Sequence, residues 1–317
     1  MVVEESVSVI INAYNEEEDI GDCLDSLAEQ TYDDFELVVI DDGSTDGTLD
    51  VVESYRDKFD LKTHRTEHVG LKKARKEGVR RSSGDIIVNV DADEILEPDF
   101  LENILQPFRD DKVGSVGGVI KSFGKGWVTD GYGTLNEIFY SLRDEGEEAE
   151  WVQGGCSAYR REALEDVGGL PAEKVSLDKD TSWRMKDSGW KVILRKDAVV
   201  HHKDPQTLKS VMKREHKIGR REYHLLKRHS SRSSWKELSR FYPLFGFVVL
   251  GLSVFFLPLL ALLVVGAVLT YLAVFYMVIK NIDDAEFGTT LKSWIVLTSI
   301  NLAWSVGYLR SALGSKS

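Results

Sequence analysis

Asp85-Ile86-Ile87-Val88-Asn89-Val90-Asp91-Ala92-Asp93-Glu94 is the stretch on which the fold turns. A short β-branched run stops abruptly at a row of acids. Such a run reads as a strand buried on both faces, as in a parallel sheet. The pattern occurs twice upstream. Val7–Ile11 (VSVII) runs into Asn12-Ala13-Tyr14-Asn15-Glu16, and Phe35–Ile40 (FELVVI) runs into Asp41-Asp42-Gly43-Ser44. Between these runs the period changes. Glu16–Gln30 places Ile20, Leu24 and Leu27 on one helical face, and Thr45–Tyr55 reads as a second helix. Leu61–Arg65 is a weak strand, Val69–Arg81 a basic helix, and Pro98–Phe108 a further helix. Strands alternating with helices predict right-handed βαβ units and a mostly parallel α/β sheet flanked by helices. Ligands bind such sheets off the carboxyl ends of the strands. All three strand ends are polar there, which predicts one composite site.

The second half is mixed. Val113–Ile120 is strand-like, Trp151–Tyr159 contains Gly154-Gly155, and Arg161–Val167 is a short helix before Gly168-Gly169. Thr181–Ser188 reads as a helix, and Lys191–Leu194 and Ala198–His201 as two short strands.

Charge divides the chain more sharply than its total of −12 suggests. Residues 1–202 hold 24 Lys/Arg and 45 Asp/Glu, residues 203–240 hold 12 and 4, and residues 241–317 hold 4 and 3. An acidic first part lacks the positive surface that phosphate contacts need, so nucleic acid is not an expected partner. It repels itself in dilute buffer and gains from salt, so a halophilic, haloarchaeal source is expected. Cys23 and Cys156 have neither pairing nor zinc spacing. The first apolar run is too short for a secretory signal.

Leu244–Ile279 runs 36 residues without a charge, long enough for two closely connected membrane spans. Ser293–Leu309 is uncharged but carries Asn301 and several hydroxyls, and is a third candidate span. The basic stretch before the first span marks the cytoplasmic side and attracts anionic headgroups. The expected organisation is an α/β domain over 1–205, a basic amphipathic juxtamembrane segment over 206–242, and two to three transmembrane helices over 243–317. The expected location is a multi-pass cell-membrane protein whose α/β domain faces the cytoplasm.

Asp91 and Asp93, two apart after a strand end, can converge on one hard cation such as Mg²⁺ or Mn²⁺ beside a diphosphate. In an acidic chain a D-x-D arises cheaply, and the strand before it is what gives it weight. Turn and capping chemistry accounts for most of Asp41-Asp42-Gly43-Ser44-Thr45-Asp46-Gly47. It does not require two leading acids, and one of them can accept the N3–H of a uracil-type base.

Three segments resemble, in order and spacing, the family 2 glycosyltransferases with the GT-A fold. They are Val9-Ile10-Ile11-Asn12-Ala13-Tyr14-Asn15-Glu16-Glu17, Val39-Ile40-Asp41-Asp42-Gly43-Ser44-Thr45-Asp46-Gly47-Thr48 and Val90-Asp91-Ala92-Asp93-Glu94. The likeness covers residues 5–205. It implies a nucleotide-sugar donor, a divalent cation and inversion at the anomeric carbon. By the same likeness Ala13, Asn15, Glu16 and Asp42 or Asp41 line the nucleotide pocket, with Asp91 and Ala92 at the donor. Arg75 matches a basic residue near the diphosphate; Lys76 stands where the family often has Asn, and Asn12 where it often has Pro. Gly155 falls in a glycine-rich segment before the acceptor site. Leu177-Asp178-Lys179-Asp180-Thr181-Ser182-Trp183-Arg184 is similar to the family's acidic catalytic segment. It places the base at Asp178, with Asp180 competing, and Leu177 replacing the usual acid. His202, before Asp204-Pro205, falls on a late metal or diphosphate ligand.

A carboxylate suits an inverting transfer, which needs a base within reach of the acceptor hydroxyl. Processive members of the family it resembles carry Q-x-x-R-W after the base; none follows here, so the resemblance implies no processive polymer synthesis. The expected reaction adds one sugar to a lipid-linked acceptor, a polyprenyl (dolichyl) phosphate or its glycan, in glycan or N-glycosylation assembly beside neighbouring pathway enzymes. Alternatives are an exopolysaccharide or glycolipid transferase, and an inactive membrane-tethered sugar-nucleotide binder.

Overall fold

The structure, a computed structural model, describes residues 3–141, 143, 148–171, 175–204, 206–232 and 287–314, with Leu269 and Leu272. These fall into two compact units. The first comprises Met1–Lys121, Leu142–Glu173 and Leu177–Lys203. The second takes Ser122–Ser141 and the described residues from Asp204 onward. A helix that lies early in sequence therefore belongs to the later unit, and the division is not a single cut in the chain.

The first unit is built on eight strands: β1 Val7–Ala13, β2 Phe35–Asp41, β3 Asp60–Arg65, β4 Ile86–Asp91, β5 Glu94–Leu96, β6 Val113–Phe123, β7 Ser157–Arg160 and β8 Lys191–Lys203. Their order across the sheet is β3-β2-β1-β4-β7-β6-β8-β5. The expected runs pair in parallel, β1 with β2 and β4, and β2 with β3. Beyond β4 the sheet turns antiparallel: β7 on β4, β6 on β7, and β5 on β8. The parallel half carries the nucleotide-type loops, and the antiparallel half brings β5, β7 and β8 to the same region.

The strands are buried because helices cover both faces. On one face Val9, Ile11, Leu37, Val39, Val88 and Val90 pack with Ile20, Leu24 and Leu27 of α1 (Ile20–Ala28) and Phe100, Ile104 and Leu105 of α4 (Phe100–Leu105). On the other, Ile10, Val38, Ile40 and Ile87 meet Ala74 of α3 (Leu71–Arg81) and Leu164 of α6 (Arg161–Asp166), with Leu177 and Met185 of α7 (Leu177–Asp187). Gly78 on α3 sits over Ile10, where an added Cβ would be 2.5 Å from the Ile10 side chain. Helix and sheet approach that closely only with glycine there. The remaining short helix, α2, spans Thr48–Glu53.

At the amino end of the sheet, buried Glu36 accepts from Ser8 Oγ at 2.5 Å and from the backbone N–H groups of Ser83 (2.5 Å) and Gly84 (3.3 Å), and pairs with Lys62. Burial works against its charge, but these donors outweigh it and hold the carboxyl at about 2.

The second unit is a three-helix packing of α5 (Trp127–Ser141), α8 (Leu208–Arg228) and α9 (Phe287–Gly314). Val128 and Tyr132 of α5, Val211 of α8, and Val296 and Ile300 of α9 form its core. Thr207 starts α8 with a capping box: its hydroxyl accepts the Ser210 N–H at 3.2 Å, and Ser210 Oγ accepts the Thr207 N–H at 3.3 Å. Gly219 of α8 lies against the backbone carbonyl of Trp304, and Gly307 of α9 against that of His216. No side chain fits at either place, so the two helix backbones touch.

Leu244–Ile279 lies outside the described residues apart from Leu269 and Leu272. The expected third span, Ser293–Leu309, is helical as part of α9. However, no described helix is long and apolar enough to cross a membrane. The reason in α9 is its hydroxyls and Asn301, which dilute its apolar content.

Candidate active site

The loops at the carboxyl ends of β1, β2 and β4 are tied together by side chain–backbone bonds. Asn15, held at φ 56°, accepts the Thr45 N–H at 2.8 Å and donates its own N–H to Ser44 Oγ at 2.9 Å. Asparagine tolerates that left-handed backbone better than most residues. Glu16 donates its N–H to Thr48 Oγ1 at 2.8 Å, and the Asp42 N–H bonds Ala13 O at 2.8 Å. These bonds explain why α1 and α2 start later than their patterns suggest. The residues expected to be first turns, from Glu16 and from Thr45, form the loop–loop clasp instead.

Asp41 and Asp42 are both buried. Asp41 Oδ1 accepts the Ser44 N–H at 3.0 Å, and Arg65 Nε lies 3.4 Å from Oδ2. Asp42 is engaged further: Oδ1 takes Thr66 Oγ1 at 2.5 Å and Val69 N–H at 2.7 Å, and Oδ2 takes Gly70 N–H at 2.8 Å. His68 Nδ1 also lies 3.5 Å from Oδ2, so contacts surround this carboxylate on both oxygens. Beside it the exposed rings of Tyr14 and His68 lie 4.0 Å apart, tilted by 33°.

Deeper in, Arg75 of α3 is 6 % exposed and donates from Nη2 to Asp91 Oδ1 at 2.5 Å; Nη1 stands 3.8 Å from Asp178 Oδ1. Burial opposes its charge, but the carboxylates of Asp91 and Asp178 outweigh it and push its pKa up. One buried cation thus joins the acid at the end of β4 to the acid on α7. Asp93 meets His202 at 3.3 Å between Oδ2 and Nε2, because β5 and β8 pair Glu94 with His202 across the ladder. Ala92, between the two acids, is itself buried.

Asp91, Asp93 and His202 are not drawn into one cage. Among the described residues no group of three or more His, Cys, Asp or Glu side chains is arranged to hold a metal ion. Arg75 holds Asp91, and His202 pairs with Asp93. A divalent ion still fits this donor set. Mg²⁺-type sites use one or two carboxylates and complete their shell with waters and substrate phosphates rather than an all-protein cage. Asp93, His202 and Asp91 are the residues that would hold it.

Asp180, the competing candidate for the base, is placed differently from Asp178. Helix α7 begins at Leu177, so Asp180 lies inside its first turn, fully buried, with Arg184 Nε 2.7 Å from its Oδ2. Asp178, one turn position earlier, is 28 % exposed in its side chain and faces Arg75.

Two residues join the site unread from sequence. Glu94 is fully buried; its Oε2 accepts the Asp91 N–H at 3.0 Å, and its Oε1 has no partner among the described residues. Burial, then the nearby Asp91, pushes its carboxyl up to about 8. Tyr159 on β7 is fully buried, and burial and Asp178 raise its pKa. At the rim, Glu16 is pushed up to about 7 by burial and by Asp93, Asp19, Asp91 and Asp46. The signal for Glu94 was its place directly after the D-x-D; nothing in the sequence pointed to Tyr159.

Clasped loops, a pocketed Arg75 and convergent acids at the strand ends define a nucleotide-cleft α/β protein of GT-A architecture. The chain belongs to glycosyl transferase family 2, whose sequence profile matches residues 8–168. It is 34% identical over 175 residues to an N-acetylglucosaminyltransferase of Mesorhizobium japonicum, 50% of this chain and 40% of that one. It is 36% identical over 108 residues to the putative glycosyltransferase EpsH of Bacillus subtilis, 33% and 31% of the two chains. The chain thus spans well under half the length of these relatives. Among solved structures it is similar to the mannosyltransferase PcManGT of Pyrobaculum calidifontis in complex with GDP-Man and Mn²⁺. The TM-score is 0.72 at 23% identity, covering 97% of this chain and 88% of that one. A second likeness, to S. aureus TarS 1–349 in complex with UDP-GlcNAc, has a TM-score of 0.51 at 23% identity, covering 68% and 65%. At these identities the likeness is one of fold.

Proposed function

We propose that the chain is an inverting hexosyltransferase. It moves one sugar from a UDP- or GDP-linked donor to a lipid-linked acceptor at the cytoplasmic face of a membrane, with Mg²⁺ or Mn²⁺. The observation that carries this reading is the Arg75 bridge, which sets the donor-side acid Asp91 and the acceptor-side acid Asp178 on one guanidinium. Donors of both kinds occur in the structural neighbours.

The chain's own residues divide the work. Asn15, Asp41, Asp42 and the Tyr14–His68 pair receive the nucleoside, and Arg75 faces the diphosphate. Asp178 takes the proton of the acceptor hydroxyl as that oxygen bonds to the anomeric carbon. The sugar–phosphate bond breaks on the opposite side, and the electron pair leaves with the nucleoside diphosphate. The divalent ion, when bound, supplies Lewis-acid stabilisation of that leaving group.

The membrane part of the proposal rests on the second unit and on the uncharged run outside the described residues. Helix α8 buries both of its acids, Glu215 and Glu222, and exposes Lys209, Lys213, Lys217, Arg220, Arg221 and Lys227. Helix α9 has a mixed surface: Ser293, Asn301 and Ser305 are buried beside Val296, Ile300 and Trp304, whereas Ile295, Val306, Leu309 and Leu313 are exposed. A basic ridge and an exposed apolar seam suit the headgroup region of an anionic bilayer. Exopolysaccharide synthesis is a second reading. It is favoured by relatives such as the poly-beta-1,6-N-acetyl-D-glucosamine synthase of Staphylococcus epidermidis, 24% identical over 188 residues.

The test is a donor panel. Full-length protein in detergent receives UDP-, GDP- and dTDP-sugars, Mn²⁺ or Mg²⁺, and a short polyprenyl phosphate, and products are weighed by mass spectrometry. A single sugar added to the lipid supports the proposal. Nucleoside diphosphate release with a growing oligosaccharide and no lipid product would transfer it to the second reading. No release with any donor would leave a binder without transferase activity.

A further inference from the structure

Gly154 and Gly155 precede β7 and adjoin the acids of the site. Neither has a positive φ, so backbone conformation does not demand glycine there. Space does. A Cβ on Gly154 would overlap Asp178 Oδ1 and stand 2.8 Å from Arg75 Nη1. A Cβ on Gly155 would stand 2.6 Å from Glu94 Oε1 and 2.8 Å from Asp91 Oδ2. The two neighbours therefore face different carboxylates.

We infer that the pair is a divided positioning device: Gly154 leaves room for Asp178 to reach Arg75, and Gly155 leaves room for Asp91 and Glu94. The inference rests on the transferase reading and assigns each glycine to one half of the reaction. Gly154 serves the acceptor-side acid and Gly155 the donor-side acids. The groups that would collide are the ends of side chains, not backbone. An alanine at either position accordingly moves functional carboxylates and leaves the sheet in place. Ser157, three residues on, holds the turn by donating its hydroxyl to Gly154 O at 3.0 Å, so the loop cannot simply back away.

Adjacent single substitutions then separate the two halves. In the full chain, Gly154→Ala is expected to slow nucleoside diphosphate release from UDP- and GDP-sugars at least tenfold. Its Mn²⁺-dependent affinity for UDP and GDP, read by calorimetry, should fall less than that of Gly155→Ala, because the added Cβ meets only Arg75 Nη1 on the donor side. Gly155→Ala is expected to do the reverse first, weakening that Mn²⁺-dependent nucleotide affinity at least tenfold. The clash itself has a readout independent of activity. Gly154→Ala should lower the thermal midpoint, and most of that loss should vanish in an Asp178→Ala background, where the colliding carboxylate is gone. Gly155→Ala should keep its full loss in the same background. Equal effects of the two alanines on both functional readouts would overturn the division. So would a Gly154→Ala melting loss that persists without Asp178. If no donor turns over, the transferase reading fails, and the melting cycle still decides whether Gly154 serves Asp178.

Discussion

The sheet unit and the helical unit both bury apolar side chains, but they place their polar and charged groups differently. In the first, Val9, Ile11, Leu37 and Val88 are inside and the many acids are outside or gathered at the site. In the second, α9 buries Ser293, Asn301 and Ser305 while Ile295, Val306, Leu309 and Leu313 face out, and α8 turns its acids in and its cations out. The charge tally splits the same way: 45 acids against 24 bases over residues 1–202, and 4 against 12 over 203–240. On the proposed function, the first pattern would face water and the second an anionic, partly apolar surface. The contrast teaches that the two units divide charge differently, and perturbations should act on them separately.

The largest expected effect belongs to the sheet unit alone. Asp178→Asn keeps the shape of the side chain and removes the base. Transfer should fall by roughly 10²–10⁴-fold, with UDP and GDP affinity nearly unchanged in the same calorimetry. If Asp180→Asn gives that pattern instead, and the protein stays folded, the base is misassigned. Asp93→Ala should abolish the response to Mn²⁺ at unchanged secondary structure; turnover within tenfold of wild type would remove Asp93 from the metal site.

Next comes the helical unit. Lys213→Glu with Lys217→Glu and Arg221→Glu reverses three exposed cations. Near an anionic surface each Lys or Arg contributes about 1 kcal/mol, so the variant should lose its preference for anionic over neutral nanodiscs. Donor binding in detergent should not change. An unaltered lipid preference would break the comparison, since α8 would then be an ordinary solvated helix.

A smaller effect concerns acid stability. Glu36 is held at about 2 in the fold, below the usual 4.5. Its contribution is therefore complete above about pH 4.5 and is lost as pH falls through about 2. Glu36→Gln should cost about 1–3 kcal/mol at neutral pH and flatten the acid side of the stability curve. The smallest effect is that of salt. KCl should raise the melting temperature, by screening the acidic unit, while weakening attachment of the basic helix to anionic lipid. Both quantities moving in one direction would mean that the charge division has no energetic consequence.

How much of this was written in the sequence depended on the range of the contacts. Strands β1, β2 and β4 were legible because a strand buried on both faces is a continuous apolar run. Strand β8 looked like two strands because Arg195-Lys196-Asp197 resembles a turn. Those residues instead sit mid-strand with an Arg195–Asp197 pair at 2.5 Å. Helix α5 was not read at all, since Gly131, Gly133 and its threonines weaken helix propensity and tertiary packing supplies the difference. Asp41, Asp42, Asp91 and Asp178 stood out at strand ends or by family likeness. Glu94 was signalled only by its place directly after Asp93, and Tyr159 not at all, because antiparallel pairing of β7 with β4 brings it in and no local pattern encodes that pairing.

Arg75 has one more consequence. Its Nη2 is already engaged by Asp91 and its Nη1 lies beside Asp178, so an anion that needs Nη2 must exchange with Asp91. The observed affinity is the intrinsic affinity scaled by the fraction of time Arg75 is released. Small anions without a metal partner for Asp91 should then bind poorly however well they fit. A cation that captures Asp91 frees the arginine, and the two ligands become thermodynamically coupled through one side chain.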